Sequence, residues 1–364
     1  MTALAHRGAG EQGIAQHATR RSAEAGGPDV PDSRASLDGG RTHAAASRPA
    51  DPRLVAAAAG LPGAREGQVI DLSRSHRVHR VDSAAGSVIV KAAAQGSRRG
   101  SRTLSAEAFA YRLAGWRPGL AAVLPRATLI DESRQVLVLE AAPWSSVGGV
   151  LQDRGLLPDP AASFSLGHVL ASVHLATAGI PIPFATSAGI LDLPDSEPSD
   201  IDLVNAKELA LAVSHDPVLA AGLRRARADW APTCLVHGDV KWDNCLVDLD
   251  VMPPVLRLID WELSGWGDPA WDIAAALAQA TALEVTANRS GEPGQAALVA
   301  GYVARAGTGI IERTARYWPA RLVHLALECA EGGALSVADS LLERARDLMR
   351  HEPETGERLW GWTG

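Results

Sequence analysis

From Leu54 to Ala142 the apolar residues come in short runs of strand length: Gln68 to Leu72, Arg77 to Val81, Val88 to Lys91 and Val136 to Leu139. One stretch, Ser105 to Ala114, carries a helical pattern instead, so this part of the chain is predicted to be a small antiparallel sheet with one helix. After Pro143 the period changes. Leu166, Val169, Leu170 and Val173 stand at i, i+3, i+4 and i+7, the spacing of one helix face, and most of the remaining chain is predicted helical. Within it Cys245 to Val247 and Val255 to Ile259 read as two strands, with Asp248 to Pro254 suited to the turn between them. Residues 296–350 read as three helices broken at Gly307-Thr308 and Gly332-Gly333, and the chain after His351 is expected to fray, although Trp360 and Trp362 could dock. Residues 1 to about 50 show no periodicity and are predicted to be a disordered tail. The pattern divides the chain into a tail (1–52), a sheet-bearing N-lobe (53–142) and a helical C-lobe (143–364), a bilobal α+β architecture.

Composition narrows the classes. The 364 residues are 46% hydrophobic and 21% charged, as expected of a globular chain able to bury a large core. With 35 basic and 42 acidic residues the net charge is −7, which argues against a nucleic-acid partner, because phosphate-backbone affinity needs clustered positive charge. No apolar run reaches spanning length and no apolar stretch follows a basic start, so neither a membrane nor a secretory route is expected. Cys234, Cys245 and Cys329 form no CxxC pair, which fits a reducing cytoplasm. Of the 35 basic residues only Lys91, Lys207 and Lys241 are lysine. In a chain that otherwise uses arginine, a compact ammonium in place of a planar fork marks positions worth inspecting.

Two of those lysines fall in the segments that carry chemistry. Val236-His237-Gly238-Asp239-Val240-Lys241-Trp242-Asp243-Asn244 is followed, sixteen residues after the asparagine, by Asp260 in Leu258-Ile259-Asp260-Trp261-Glu262. Phosphoryl transfer needs an acceptor oxygen held in line and one or two Mg²⁺ ions neutralising the phosphate oxygens. One loop can supply both: Asp239 to accept or orient the acceptor proton, and Asn244 to reach a metal from the same loop, with Asp260 ligating from the next strand end. The pattern HGDxxxxN followed by hydrophobic-Asp-aromatic-Glu resembles the aminoglycoside phosphotransferase and choline-kinase-like group, relatives of protein kinases, over roughly residues 65 to 350. The resemblance implies a bilobal protein-kinase-like fold and a nucleotide, ATP or GTP, with Mg²⁺.

The N-lobe carries matching features. Val88-Ile89-Val90-Lys91 is an apolar strand ending in lysine, the arrangement that grips the α and β phosphates in kinases, and the resemblance implies an ion pair between Lys91 and Glu107. The loop Asp71 to Arg77 has no glycine where GxGxxG would stand. Ser73 and Ser75 could hold phosphate through hydroxyl and backbone N–H groups, or the loop is a basic hairpin with no ligand role. Adenine is expected against the connection Leu139-Glu140-Ala141-Ala142, through backbone groups of Glu140 and Ala142. Asp268 and Asp272 in Asp268-Pro269-Ala270-Trp271-Asp272 read as structural supports, His237 as a loop anchor and His174 as a buried packing residue. Trp242, Trp261, Trp266 and Trp271 cluster near the loop; some could line the acceptor site, with Trp261 and Trp271 assigned to the core.

For the acceptor, Lys241 stands two residues after Asp239, where Ser/Thr protein kinases carry a lysine able to stabilise γ-phosphate charge. Residues 301–350 hold six acidic and seven basic residues, a poor trap for a polycation, whereas residues 61–120 carry ten basic against four acidic, suited to an acidic peptide. The wording of the motifs is similar to that of members found with lanthipeptide or thioamitide tailoring, which implies Ser/Thr of a precursor peptide as acceptor and a partner lyase. A small-molecule hydroxyl, including an antibiotic, is the alternative. A pseudokinase that binds nucleotide without transfer is a third reading, opposed by the intact set Lys91, Asp239, Asn244 and Asp260.

Overall fold

In the first lobe, strand alternation sorts side chains onto two faces of one sheet. The computed structural model describes residues 51–73, 76–93, 98–141, 145–154, 158–186, 188–197, 203–248, 255–287 and 289–363. The expected tail therefore lies almost wholly outside the described residues, as do Ser75, Ala142 and the turn 249–254. Helix α1 (Pro52–Ala58), capped by Asp51, precedes β1 (Gln68–Asp71), β2 (Arg77–Ser83) and β3 (Gly86–Ala92). Helices α2 (Arg98–Ala114) and α3 (Pro118–Ala121) follow, then β4 (Ala127–Asp131) and β5 (Val136–Glu140). The sheet order is β1-β2-β3-β5-β4, with every pairing antiparallel. Val88 and Val90 of β3 and Val136 and Val138 of β5 share a small core with Ala56 of α1. The alternate residues Ile89, Leu137 and Leu139 face α2 and the main core. Lys91 has the parity of Ile89 and pairs across with Leu137, so its side chain emerges on the α2 face.

The expectation of one helix here is corrected: α1 covers the outer face of the sheet, and α2 begins at Arg98 rather than Ser105. Strand β4 escaped the sequence reading because all five of its residues are half-buried and show no alternation.

The second lobe is mostly helical. It contains β6 (Ser145–Ser146), α4 (Val147–Arg154), α5 (Pro160–Thr177), α6 (Lys207–His215), α7 (Pro217–Ala228), β7 (Cys234–Val236), β8 (Cys245–Asp248), β9 (Val255–Leu258) and β10 (Gly265–Gly267). Five helices close the chain: α8 (Pro269–Ala287), α9 (Glu292–Ala306), α10 (Ile311–Glu331), α11 (Leu335–Arg350) and α12 (Glu352–Gly361). The predicted hairpin is β8-β9, extended by β6 into three strands, and β7 pairs with β10. α5 runs against α9, where a Cβ on Gly167 would stand 2.0 Å from the Leu298 carbonyl oxygen and one on Gly301 2.1 Å from that of Phe164. Only glycine lets the two backbones approach so closely.

The core of this lobe holds Trp261, Trp271, Tyr317 and Trp318, all essentially inaccessible. The three predicted terminal helices are α9, α10 and α11. The fraying expected after His351 is corrected: α12 is helical, Leu359 is fully buried, and the Trp362 ring lies 6.3 Å from that of Trp318. Glu352 at its start is held by Arg316 and Arg225. No helix among the described residues is long and apolar enough to cross a membrane.

Candidate active site

The loop after β7 is shaped by Gly238, at φ +82°, where a Cβ would meet the Leu263 carbonyl oxygen at 2.4 Å. The buried Asp272, in the first turn of α8, accepts the backbone N–H of His237 at 2.7 Å and of Gly238 at 3.0 Å. It also contacts His174 Nε2 at 3.1 Å, and His174 Nδ1 lies 3.1 Å from the Tyr302 hydroxyl. Burial pushes the Asp272 carboxyl up, but His174 and these N–H groups outweigh it and hold it below the usual carboxylate value. His174 is thus more than a packing residue, because it orients the carboxylate that orients the loop. His237 anchors the loop as expected: its Nδ1 accepts the Asp239 N–H at 3.3 Å, and its Nε2 lies 2.9 Å from the Ile259 carbonyl oxygen. Asp268 caps α8 through the Ala270 N–H and also accepts from the Tyr317 hydroxyl.

Asp239, Lys241 and Asn244 come together. Lys241 Nζ lies 2.6 Å from Asp239 Oδ2, and Asn244 Nδ2 donates to Asp239 Oδ2 at 3.2 Å and to its carbonyl oxygen at 3.0 Å. Burial opposes the Lys241 charge, but Asp239 outweighs it and raises the pKa. The Ile259 N–H donates to the Asn244 carbonyl oxygen at 2.9 Å, tying this loop to the one that carries Asp260. Asp260 sits at φ +67°, a left-handed conformation uncommon outside glycine and tolerated best by Asp and Asn.

Lys91, Glu107 and Asp260 form the second cluster. Lys91 Nζ reaches both Glu107 oxygens, at 2.9 and 2.8 Å, and Asp260 Oδ1 at 2.7 Å. Glu107 is fully buried, on the α2 stripe of Leu104, Ala108 and Tyr111. Burial opposes the Lys91 charge, yet Glu107 and Asp260 together raise its pKa. Burial likewise pushes Asp260 up, and Lys91 overrides it to a net lowering.

The remaining expectations divide. The Ser73 hydroxyl accepts the Val78 N–H at 3.0 Å and lies 3.3 Å from the Val78 carbonyl oxygen, so it is engaged within its own hairpin. Glu140 ends β5, exposed and 3.5 Å from Arg126. Ser75 and Ala142 lie outside the described residues. Trp242, Trp261 and Trp271 are all buried, which places Trp242 in the core with the other two, while Trp266 is half-buried on β10.

Sequence reasoning missed two features. His76 packs against Glu262 at 3.5 Å and Thr103 at 2.8 Å; burial and the neighbouring Asp260 push the Glu262 carboxyl up. Arg321, His324 and Glu328, at i, i+3 and i+7 on α10, feel the charge of Asp239, and the last two also that of Lys241. Their helical spacing was the available signal.

An antiparallel lobe presenting a lysine–glutamate pair to an aspartate that ends a strand of a helical lobe, with a second aspartate on a neighbouring loop, defines a phosphotransferase of the protein-kinase-like fold. The profile of the APH phosphotransferase enzyme family matches residues 66–319, and the chain belongs to that family. The fold is shared with an ethanolamine kinase of Plasmodium vivax, at a TM-score of 0.55 and 11% identity over 80% of this chain and 84% of that one. It is shared as well with a choline/ethanolamine kinase family protein of Mesorhizobium loti, at a TM-score of 0.55 and 18% identity over 86% and 98%. No curated protein matches the sequence.

Proposed function

We propose that this protein transfers the γ-phosphoryl group of ATP or GTP, with Mg²⁺, to a hydroxyl group, the leading acceptor being Ser or Thr of a precursor peptide. The observation that carries the reading is the pair of clusters, Lys91–Glu107–Asp260 and Asp239–Lys241–Asn244, joined by the Ile259–Asn244 backbone bond. Lys91, held by Glu107, would bind nucleotide phosphate. Asp239, with its side chain 19% exposed, is oriented by Lys241 and Asn244 to receive the acceptor proton. Lys241 would stabilise charge on the transferring group.

Asp260 and Asn244 offer hard oxygen donors of the kind Mg²⁺ takes. With only these two donors from the protein, such an ion would take its other ligands from phosphate oxygens and water. When bound, that ion would neutralise charge on the phosphate oxygens.

The peptide reading is supported by the placement of Lys241 against Asp239 and by the wording of the motifs, and a tailoring lyase would be the accompanying partner. A small-molecule alcohol is the second reading, favoured by the names of the two proteins that share the fold. The test is intact mass of a Ser/Thr-rich precursor peptide and of a small-alcohol and aminoglycoside panel after incubation with protein, Mg²⁺ and ATP or GTP. A phosphate on the peptide, absent with Asp239→Asn, supports the leading reading, and a phosphate on a small molecule replaces it with the second. Nucleotide binding with transfer to neither would favour a pseudokinase.

A further inference from the structure

His76 closes the turn between β1 and β2 and is 6% exposed, although Asp71 to Ser73 before it are exposed and Arg77 to His79 after it half-buried. A polar ring drawn inward from a hairpin is desolvated and needs specific contacts in return. Its Nε2 lies 2.8 Å from the Thr103 hydroxyl on α2. Its Nδ1, sealed from solvent and without a hydrogen bond among the described residues, lies 3.5 Å from Glu262 Oε2.

These contacts place His76 one step from every member of the lysine cluster. Val78, two residues on, is the cross-strand partner of Lys91. Thr103 stands one helical turn before Glu107 on α2. Glu262 follows Asp260 by two residues, in the short 3-10 turn Trp261–Leu263 along which α2 packs. One ring therefore joins the β1–β2 hairpin and α2 of the first lobe to the aspartate loop of the second.

That hairpin stands where a nucleotide-covering loop is expected, and it has no glycine from Asp71 to Arg77. A glycine-rich loop must be ordered each time it closes on phosphate, because glycine leaves the backbone free. Here the Leu72 N–H already donates to the Val78 carbonyl oxygen at 2.8 Å, and the Ser73 hydroxyl accepts the Val78 N–H at 3.0 Å. We propose that His76 is a positioning residue for the nucleotide, holding the hairpin in place beside Lys91 before the phosphates arrive, where a glycine loop would close over them. The inference rests on the phosphotransferase reading above and deepens it by assigning how that site is set for its nucleotide. Histidine suits the task because a rigid ring presents one nitrogen to each lobe. Being buried, it acts through Thr103 and Glu262 rather than by touching phosphate.

Amide hydrogen exchange on the full wild-type chain, read at Leu72 and Val78, tests this without a variant. Both amides are expected to be protected before nucleotide is added, and in His76→Ala to gain protection only when Mg²⁺ and a non-hydrolysable ATP or GTP analogue are present. Wild-type amides that exchange freely until nucleotide is added would describe a closing loop and overturn the inference. Calorimetry with the same analogues should show Kd raised about tenfold or more in His76→Ala, and less in His76→Gln, which keeps a group for Thr103 but none for Glu262. Thr103→Val should also raise Kd, and add nothing on top of His76→Ala. On an identified acceptor the loss should appear in the nucleotide KM, with kcat changed by less than about threefold. A folded His76→Ala with a lower Tm and an unchanged Kd would reduce the ring to core packing and overturn the inference. If that variant does not fold, an unchanged Kd in Thr103→Val does the same. A wild-type chain that binds neither analogue overturns the inference and the phosphotransferase reading together. Binding that depends on His76, with neither phosphoryl transfer nor nucleotide hydrolysis, sinks that reading alone.

Discussion

The lysine cluster and α10 treat buried charge in opposite ways. On the wall formed by β3, α2 and the loop after β9, Lys91 is bonded to both Glu107 and Asp260, so its buried ammonium already has its counter-ions. On α10, Arg321 has no carboxylate within ion-pair distance among the described residues, bonds to His324 instead, and feels Glu328, Asp239 and Asp272 only at longer range. On the phosphotransferase reading Lys91 would meet the same phosphates in every turnover, and such a group can be fixed in advance by permanent partners.

The largest effects should come from the carboxylates of the candidate site. Asp239→Asn should cut kcat by about 10²–10⁴, the usual worth of a positioned general base, with nucleotide binding retained. Asp260→Asn should cost a comparable factor and weaken Mg²⁺-nucleotide binding as well. A steady-state assay on the identified acceptor checks both, and retention of activity within tenfold by either folded variant breaks the site assignment.

Next is Lys91→Met, which strands the fully buried Glu107 carboxylate. It should lose activity and also about 3–5 kcal/mol of stability, read as a fall in Tm. The double variant Lys91→Met, Glu107→Leu should recover much of that stability and none of the activity, because the fully buried Glu107 charge is gone and Asp260, which also loses Lys91, has its side chain 32% exposed to water. If the single variant keeps its Tm, the pre-paired description of this wall fails.

The lysine cluster was legible in the sequence and the burial of Arg321 was not, for a physical reason. On the proposed reading Asp239, Asn244 and Asp260 would converge on one small phosphate group, and loop geometry turns that demand into a fixed spacing. Lys91 stood out as a rare lysine ending an apolar strand, and Glu107 sits on the apolar stripe of Leu104, Ala108 and Tyr111. Arg321 looked like any other arginine, since its burial depends on Trp271, distant in sequence. β4 lacks alternation, and α12 is largely polar apart from Leu359 and Trp360, so its docking on α10 is a tertiary effect.

A smaller effect is expected behind the loop, and its sign is fixed by Asp272. That carboxyl lies below its ordinary value of 3.8 in the folded protein. A depressed pKa contributes stability that is present above the unfolded value and lost as pH falls through the folded one. Asp272→Asn should therefore lower stability at neutral pH by about 2–3 kcal/mol and flatten the loss of stability below about pH 4. Denaturant titrations at a series of pH values would show an unchanged acid limb if the carboxylate is not the anchor.

The smallest effect is the one that best locates the edge of the pre-paired wall. The Ser73 hydroxyl closes its hairpin on Val78, and to hold phosphate it would have to surrender those bonds. Ser73→Ala should then change the KM for nucleotide by less than about threefold and cost about 1 kcal/mol of stability, the net worth of a hydrogen bond in a partly solvated loop. A rise of tenfold or more in KM with kcat unchanged would place the hydroxyl on the nucleotide and extend the wall beyond Lys91. In that case permanent pairing would be a property of the lysine cluster alone.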